Sequence, residues 1–194
     1  MIDKLCDEAV EEGTAVACFY FDFASRSEQS PVHMLGSLLR QLVTALEGIP
    51  EAVITSFQNQ KKVIGGRGLQ VAGILKMFQA ITTTKRTFIC VDALDECVPE
   101  HQMVILESLG QIVRESLDTR IFMTGRSHVR SEVERGFGGA AAFRLIKPTG
   151  EGITGYLREK LRCDTTPEMM SSTLEANILE SIAHMSSETY VEPM

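Results

Sequence analysis

The chain has no tryptophan, no adjacent Gly-Lys pair, no Cys-x-x-Cys spacing and no long apolar run. Each absence excludes something. No stretch approaches the roughly 20 apolar residues that a membrane-spanning helix needs, so no membrane partner is expected. The five cysteines (Cys6, Cys18, Cys90, Cys97 and Cys163) are odd in number and scattered. They do not form a disulfide framework and fit reduced thiols, mostly core filler, in a cytoplasmic protein. Four isolated histidines offer no zinc spacing. Basic residues are outnumbered, 19 Lys and Arg against 26 Asp and Glu, giving a net charge of −7. That balance argues against nucleic acid or an anionic membrane as the main partner. Met1 leads into a polar, acidic segment, so no signal peptide is expected.

What is present is the composition of an ordinary globular protein, 44% apolar and 23% charged over 194 residues. The length suits one domain with room for a small appendage, and it can bury a real core. Residues 2–11 place Ile2, Leu5, Cys6 and Val10 on one helical face, with Gly13 able to end the helix. Residues 15–23 form an apolar strand with Asp22 near its end. Ser30-Pro31 then starts a helix in which Leu35, Leu38, Leu39, Leu42 and Leu46 make a core-facing stripe. Further helices are expected over residues 51–62, over residues 69–81, and from Pro99 onward. In the last of these Ile105, Leu106, Leu109, Ile112 and Val113 face inward.

Residues 65–68 (GGRG) follow no strand and have no Lys-Ser/Thr partner, so they are read as a loop rather than a phosphate cradle. Strands are expected at residues 87–92, 119–124 and 142–146, with a short helix over residues 128–135. A helix runs to Cys163, and a helical tail covers about residues 164–186 before the periodicity ends. Strands alternating with helices predict an α/β fold, doubly wound on a mainly parallel sheet. The chain divides into residues 1–163 and 164–194.

The stretch around which the chain is organised is RTFICVDALDEC, residues 86–97. Four consecutive apolar residues suit a strand buried on both faces of a parallel sheet. The strand ends in Asp92 and is followed by Asp95 and Glu96, which puts carboxylates at the sheet edge where α/β proteins bind ligands. In phosphate-handling proteins a carboxylate there holds Mg²⁺ against a nucleotide's phosphates. A buried strand running into a solvated acidic loop would read the same way. One strand later comes Thr124-Gly125-Arg126, where an arginine at a strand's carboxyl end can reach a terminal phosphate.

Together, FYFDF (residues 19–23), Ser30-Pro31 with its leucine-rich helix, RTFICVDALDEC, TRIFMTGRSH and EGITGYLREKL resemble a NACHT-type domain, the nephrocystin-like N-terminal domain of the STAND class of P-loop NTPases. The resemblance spans about residues 2–185. It implies that Asp92 holds Mg²⁺ when nucleotide is bound, that Asp95 and Glu96 order the attacking water, and that Arg126 senses the γ-phosphate. Asp22 matches a recurring acidic position without assigned chemistry. The cofactor would be Mg-ATP or Mg-GTP, the partners other domains of a multidomain switch protein, and residues 87–92 the strand between 15–23 and 119–124.

The departures from the family pattern are as informative. The phosphate-binding G-x-x-x-x-G-K-[ST] loop is missing, and residues 1–11 match the end of the helix that would follow it. The chain is therefore expected to start after that loop and to lack the first strand of the family's sheet, which would lie beside 119–124. Ser127 stands where a proline is usual, and residues 188–194 depart from the apolar helix expected there. Losing three charge-assisted hydrogen bonds, each worth about 1.5–3 kcal/mol, removes about 5–9 kcal/mol of phosphate binding. That is enough to abolish micromolar affinity. The expectation is a fragment of a signalling NTPase with little nucleotide binding or hydrolysis of its own. The alternative is a non-catalytic interaction module on the same scaffold.

Overall fold

The computed structural model describes residues 14–63, 69–116, 118–139, 141–144, 149–162 and 171–188. Three strands, β1 (Ala15–Tyr20), β2 (Thr87–Asp92) and β3 (Thr119–Met123), form a parallel sheet in the order β1-β2-β3. The register sets Ala15 beside Thr87 and Tyr20 beside Asp92, and Thr87 beside Thr119 and Val91 beside Met123. The helices of the first compact unit, residues 1–142, are α1 (Pro31–Thr44), α2 (Glu51–Val63), α3 (Val71–Thr82), α4 (Pro99–Glu115) and α5 (Arg130–Phe137). The chain is thus an α/β protein whose acid-tipped strand is central and parallel. The expected helix over residues 2–11 and the 65–68 loop lie outside the described residues.

One sheet face carries the core. Ala15, Ala17 and Phe19 of β1 and Ile89 and Val91 of β2 are buried with Leu35, Leu38 and Leu42 of α1, Ile74, Phe78 and Ile81 of α3, and Ile105, Leu106 and Leu109 of α4. Apolar side chains recur at helical spacing on the helices and at every second residue on β1, so these elements bury one face, while central β2 also buries Cys90 on the other. Trimming one of these leucines to alanine would cost about 2–5 kcal/mol. Ser30 starts α1 as expected: its hydroxyl accepts from the His33 N–H, with Pro31 in the first turn. The opposite sheet face is less covered: Val16, Cys18 and Phe88 are half-buried, and Tyr20 and Phe122 are exposed.

Two glutamines finish the outer edge of β1. The Gln41 side chain of α1 accepts from the Cys18 N–H at 2.9 Å and donates to the Cys18 carbonyl at 2.8 Å. Gln29 accepts from the Asp22 N–H at 3.1 Å and donates to the Tyr20 carbonyl at 3.4 Å. An amide side chain carries the same donor and acceptor as a peptide group, so it can stand in for a neighbouring strand.

Helices α4 and α5 approach closely at two glycines, one on each helix. A Cβ on Gly110 would lie 2.5 Å from the Gly136 carbonyl oxygen, and a Cβ on Gly136 would lie 2.7 Å from the Leu106 Cβ.

Strand β1 stops at Tyr20, short of the expected residue 23. Asp22 turns the chain, its carboxylate accepting from the Ala24 N–H and the Ser25 hydroxyl to start a 3₁₀ turn at Phe23–Ser25. The short helix expected at residue 128 begins as a separate 3₁₀ turn, Ser127–Val129. The expected fourth strand at residues 142–146 is corrected where it is described. Residues 142–144 are exposed and not in a strand: the sheet among the described residues ends at β3, and they do not pair with its open edge. Residues 145 and 146 lie outside the described residues.

The second compact unit, residues 143–194, holds α6 (Gly150–Arg162) and α7 (Ser172–Glu188), which contact each other. The expected boundary at 163–164 lies outside the described residues. Thr149 and Ser171 cap these helices, their hydroxyls accepting from the Gly152 and Leu174 N–H groups. Helix α7 continues to Glu188, past residue 186 where the periodicity was expected to end.

Candidate functional site

The carboxyl end of β2 is shaped by Thr124, just past β3. Its N–H donates to the Val91 carbonyl, its carbonyl accepts from the Leu94 N–H, and its hydroxyl accepts from the Ala93 N–H at 3.0 Å. The same hydroxyl donates in a short hydrogen bond to Asp92 Oδ1. These bonds hold Ala93 at φ 53°, ψ 46°, a left-handed conformation that costs a residue with a Cβ about 1–2 kcal/mol. The reversal directs Leu94–Glu96 into a 3₁₀ turn across the strand ends, with Leu94 buried beneath it.

That turn brings Asp95 to Arg126. Asp95 Oδ1 accepts from the Arg126 backbone N–H at 3.1 Å, and Oδ2 lies 3.2 Å from Arg126 Nε. The Asp95 side chain is 8% exposed and that of Arg126 is 77% exposed. Gly125 eases the approach: a Cβ there would lie 3.1 Å from Val129 Cγ2, which would have to give slightly, and 3.5 Å from Asp95 Oδ1, an ordinary contact. Glu96 turns the other way and accepts from the Phe23 N–H at 2.7 Å, tying the turn after β2 to the turn after β1. Asp22 is occupied by its own turn.

The residues singled out from the sequence therefore converge on one sheet edge but divide by partner. Asp95 joins Arg126, Asp92 joins Thr124, and Glu96 joins the β1 turn. Asp92 Oδ2 keeps no hydrogen-bond partner among the described residues. Sequence reasoning missed the part played by Thr124. The signal available was a hydroxyl at the end of a strand adjacent to the acid-tipped one.

This donor set fits a single kind of cation contact. Mg²⁺ keeps several waters and takes one or two carboxylates together with substrate phosphates, which one spare oxygen on Asp92 can serve. It does not fit a protein-only cage, since no group of three or more His, Cys, Asp or Glu side chains converges among the described residues. Behind the turn, Cys97 is 5% exposed, and burial pushes its thiol up to about 11, so it stays protonated at neutral pH.

Among the described residues no helix is long and apolar enough to cross a membrane. No curated protein and no solved structure matches the chain. The family model described as nephrocystin 3, N-terminal matches residues 1–126. This match includes the whole parallel sheet and ends on Arg126, the last residue of the cluster just described. The chain belongs to the nephrocystin 3 N-terminal family.

Proposed function

We propose that this chain is part of a NACHT-type signalling NTPase of the STAND class, a nucleotide-dependent switch in its multidomain form, and that alone it binds and hydrolyses nucleotide poorly. The observation that carries the reading is Asp92 at the tip of a central parallel strand, fixed by Thr124, with Asp95 and Arg126 paired beside it. In this reading Asp92 receives Mg²⁺ bound to a triphosphate, Asp95 and Glu96 order the attacking water, and Arg126 exchanges Asp95 for the γ-phosphate. The Arg126 guanidinium is exposed and free to turn towards a phosphate, and Asp95 keeps its hydrogen bond from the Arg126 backbone N–H when it does. The poor affinity follows from the absence of any Gly-Lys pair in the sequence. Localisation in the cytoplasm and association with other domains of the switch belong to the same proposal.

Thermal denaturation with and without excess Mg-ATP or Mg-GTP tests it. This chain is expected to show no shift. A ligand at 100 times its Kd adds about 2.7 kcal/mol, so a clear rise that Asp92→Ala abolishes would overturn the claim of weak binding. Adding a strand and a G-x-x-x-x-G-K-[ST] loop ahead of residue 1 should create a Mg²⁺-dependent rise that Asp92→Ala removes. If no rise follows, the nucleotide reading fails.

The second reading is a non-catalytic interaction module on this scaffold. It is favoured by the outer edge of β3, which pairs with no strand among the described residues and exposes Phe122.

A further inference from the structure

Two of the cysteines stand side by side in the sheet. Cys18 of β1 and Cys90 of β2 are in direct register, and both are thiols. Residues directly opposite each other in a ladder project to the same face, here the less covered one. Parallel strands lie about 4.8 Å apart, inside the roughly 4.4–6.8 Å Cα window of disulfides. The Cβ atoms of such a pair follow the strand spacing and must draw together towards the disulfide mean of about 3.8 Å, so the bond would be readily reduced. Accessibility differs between the two: Cys18 is half-buried, whereas Cys90 is 3% exposed. A reagent in solution meets Cys18 first, with Cys90 behind it.

We propose that Cys18 and Cys90 form a reversible dithiol–disulfide pair that responds to peroxides, with Cys18 as the attacked thiol and Cys90 as the resolving one. The Cys18 sulfur attacks one oxygen of the peroxide. The O–O bond breaks, Cys18 becomes a sulfenic acid, and with hydrogen peroxide one water leaves. The Cys90 sulfur then attacks the Cys18 sulfur. The S–S bond forms, the S–O bond breaks, and the hydroxyl leaves with the Cys90 proton as a second water. Two thiols have lost two electrons and two protons, and the peroxide is reduced to water. A small dithiol reverses the reaction by exchange. Cys97, buried in the core with its thiol kept protonated, does not compete. The inference is independent of any nucleotide chemistry.

Peptide mapping of the native chain tests the pair. The protein is treated with hydrogen peroxide, remaining thiols are alkylated after unfolding, and the chain is cut with trypsin and a glutamate-specific protease. The sequence then yields residues 13–26 and 87–96, each with a single cysteine. The expected result is one linked species of these two peptides, lighter by two hydrogens, that separates on treatment with a dithiol. In Cys90→Ser, Cys18 should accumulate as a sulfenic acid that dimedone traps. The proposal is overturned if wild-type Cys18 oxidises while Cys90 stays alkylatable, if Cys18 links to a different cysteine, or if both remain thiols under peroxide that oxidises a small thiol in the same tube. The wild-type map decides the matter even where a serine variant folds poorly.

Discussion

Along the outer edge of β1, Gln41 and Gln29 take the hydrogen bonds a further strand would have taken, whereas the outer edge of β3 pairs with nothing among the described residues. An unpaired strand edge is a template for association, and proteins usually blunt it. Here one edge is closed by side chains reaching from a helix and a turn, at Cys18, Tyr20 and Asp22, every second residue. The other presents Arg120 and an exposed Phe122. The difference teaches where this sheet ends by its own chemistry and where it is ready for more.

The contrast can be broken most forcefully at Gln41. Gln41→Leu removes both side-chain hydrogen bonds to the Cys18 backbone, and at about 1–3 kcal/mol per half-buried group the expected loss is about 2–6 kcal/mol in urea denaturation. A loss below about 0.5 kcal/mol would mean that water replaces the amide and that the β1 edge is not closed in the sense argued.

Alkaline pH challenges the core behind the turn after β2 instead of the sheet edges. The unfolded Cys97 thiol releases its proton near the ordinary 9.0, and the folded one keeps it up to about 11. Between those values the unfolded chain binds fewer protons, so stability falls as pH rises, by about 2 kcal/mol between pH 8 and 11. The difference in unfolding free energy between wild type and Cys97→Ala across that range isolates this group. A flat difference would show that the thiol is not buried as described.

Gln29→Ala is expected to cost about 1 kcal/mol, less than Gln41→Leu, because its contact with the Tyr20 carbonyl is long at 3.4 Å. Equal losses from the two glutamines would make them one unit rather than two separate caps. Phe122→Lys should change stability by no more than about 0.5 kcal/mol, as exposed substitutions do, while suppressing any association through the β3 edge. Urea denaturation and sedimentation check the two halves of that statement. A loss above about 1.5 kcal/mol would show that Phe122 is packed and that the two edges are alike.

The parts of the fold legible in the sequence were those set by local pattern. Strand β2 matches its expected span because an apolar run meets a carboxylate, and α1 matches because Ser30, Pro31 and the leucine stripe agree. Strand β1 is shorter than FYFDF suggests, since the run looks continuous while Asp22 captures the Ala24 N–H and turns the chain. Residues 142–144 belong to an apolar stretch that reads like a strand but do not join the open edge of β3, and pairing is a non-local property. In the site, Asp92, Asp95, Glu96 and Arg126 were all named from sequence, but their partners were not. Thr124 to Asp92, Arg126 to Asp95 and Phe23 to Glu96 span 32, 31 and 73 positions. The glutamine caps were illegible for the same reason: a polar residue beside a leucine stripe reads as solvent-facing.

The close crossing of α4 and α5 has a consequence for that corner of the molecule. Helix α5 follows directly on the Ser127–Val129 turn, and Arg126 stands immediately before it. With Gly136 flush against Leu106, this contact leaves no room for the two helices to come closer. A single methyl group at residue 136 would lie 2.7 Å from the Leu106 Cβ and force α5 to shift, and the turn that follows Arg126 leads directly into that helix. A substitution that touches none of the carboxylates could therefore retune them from the far end of a helix.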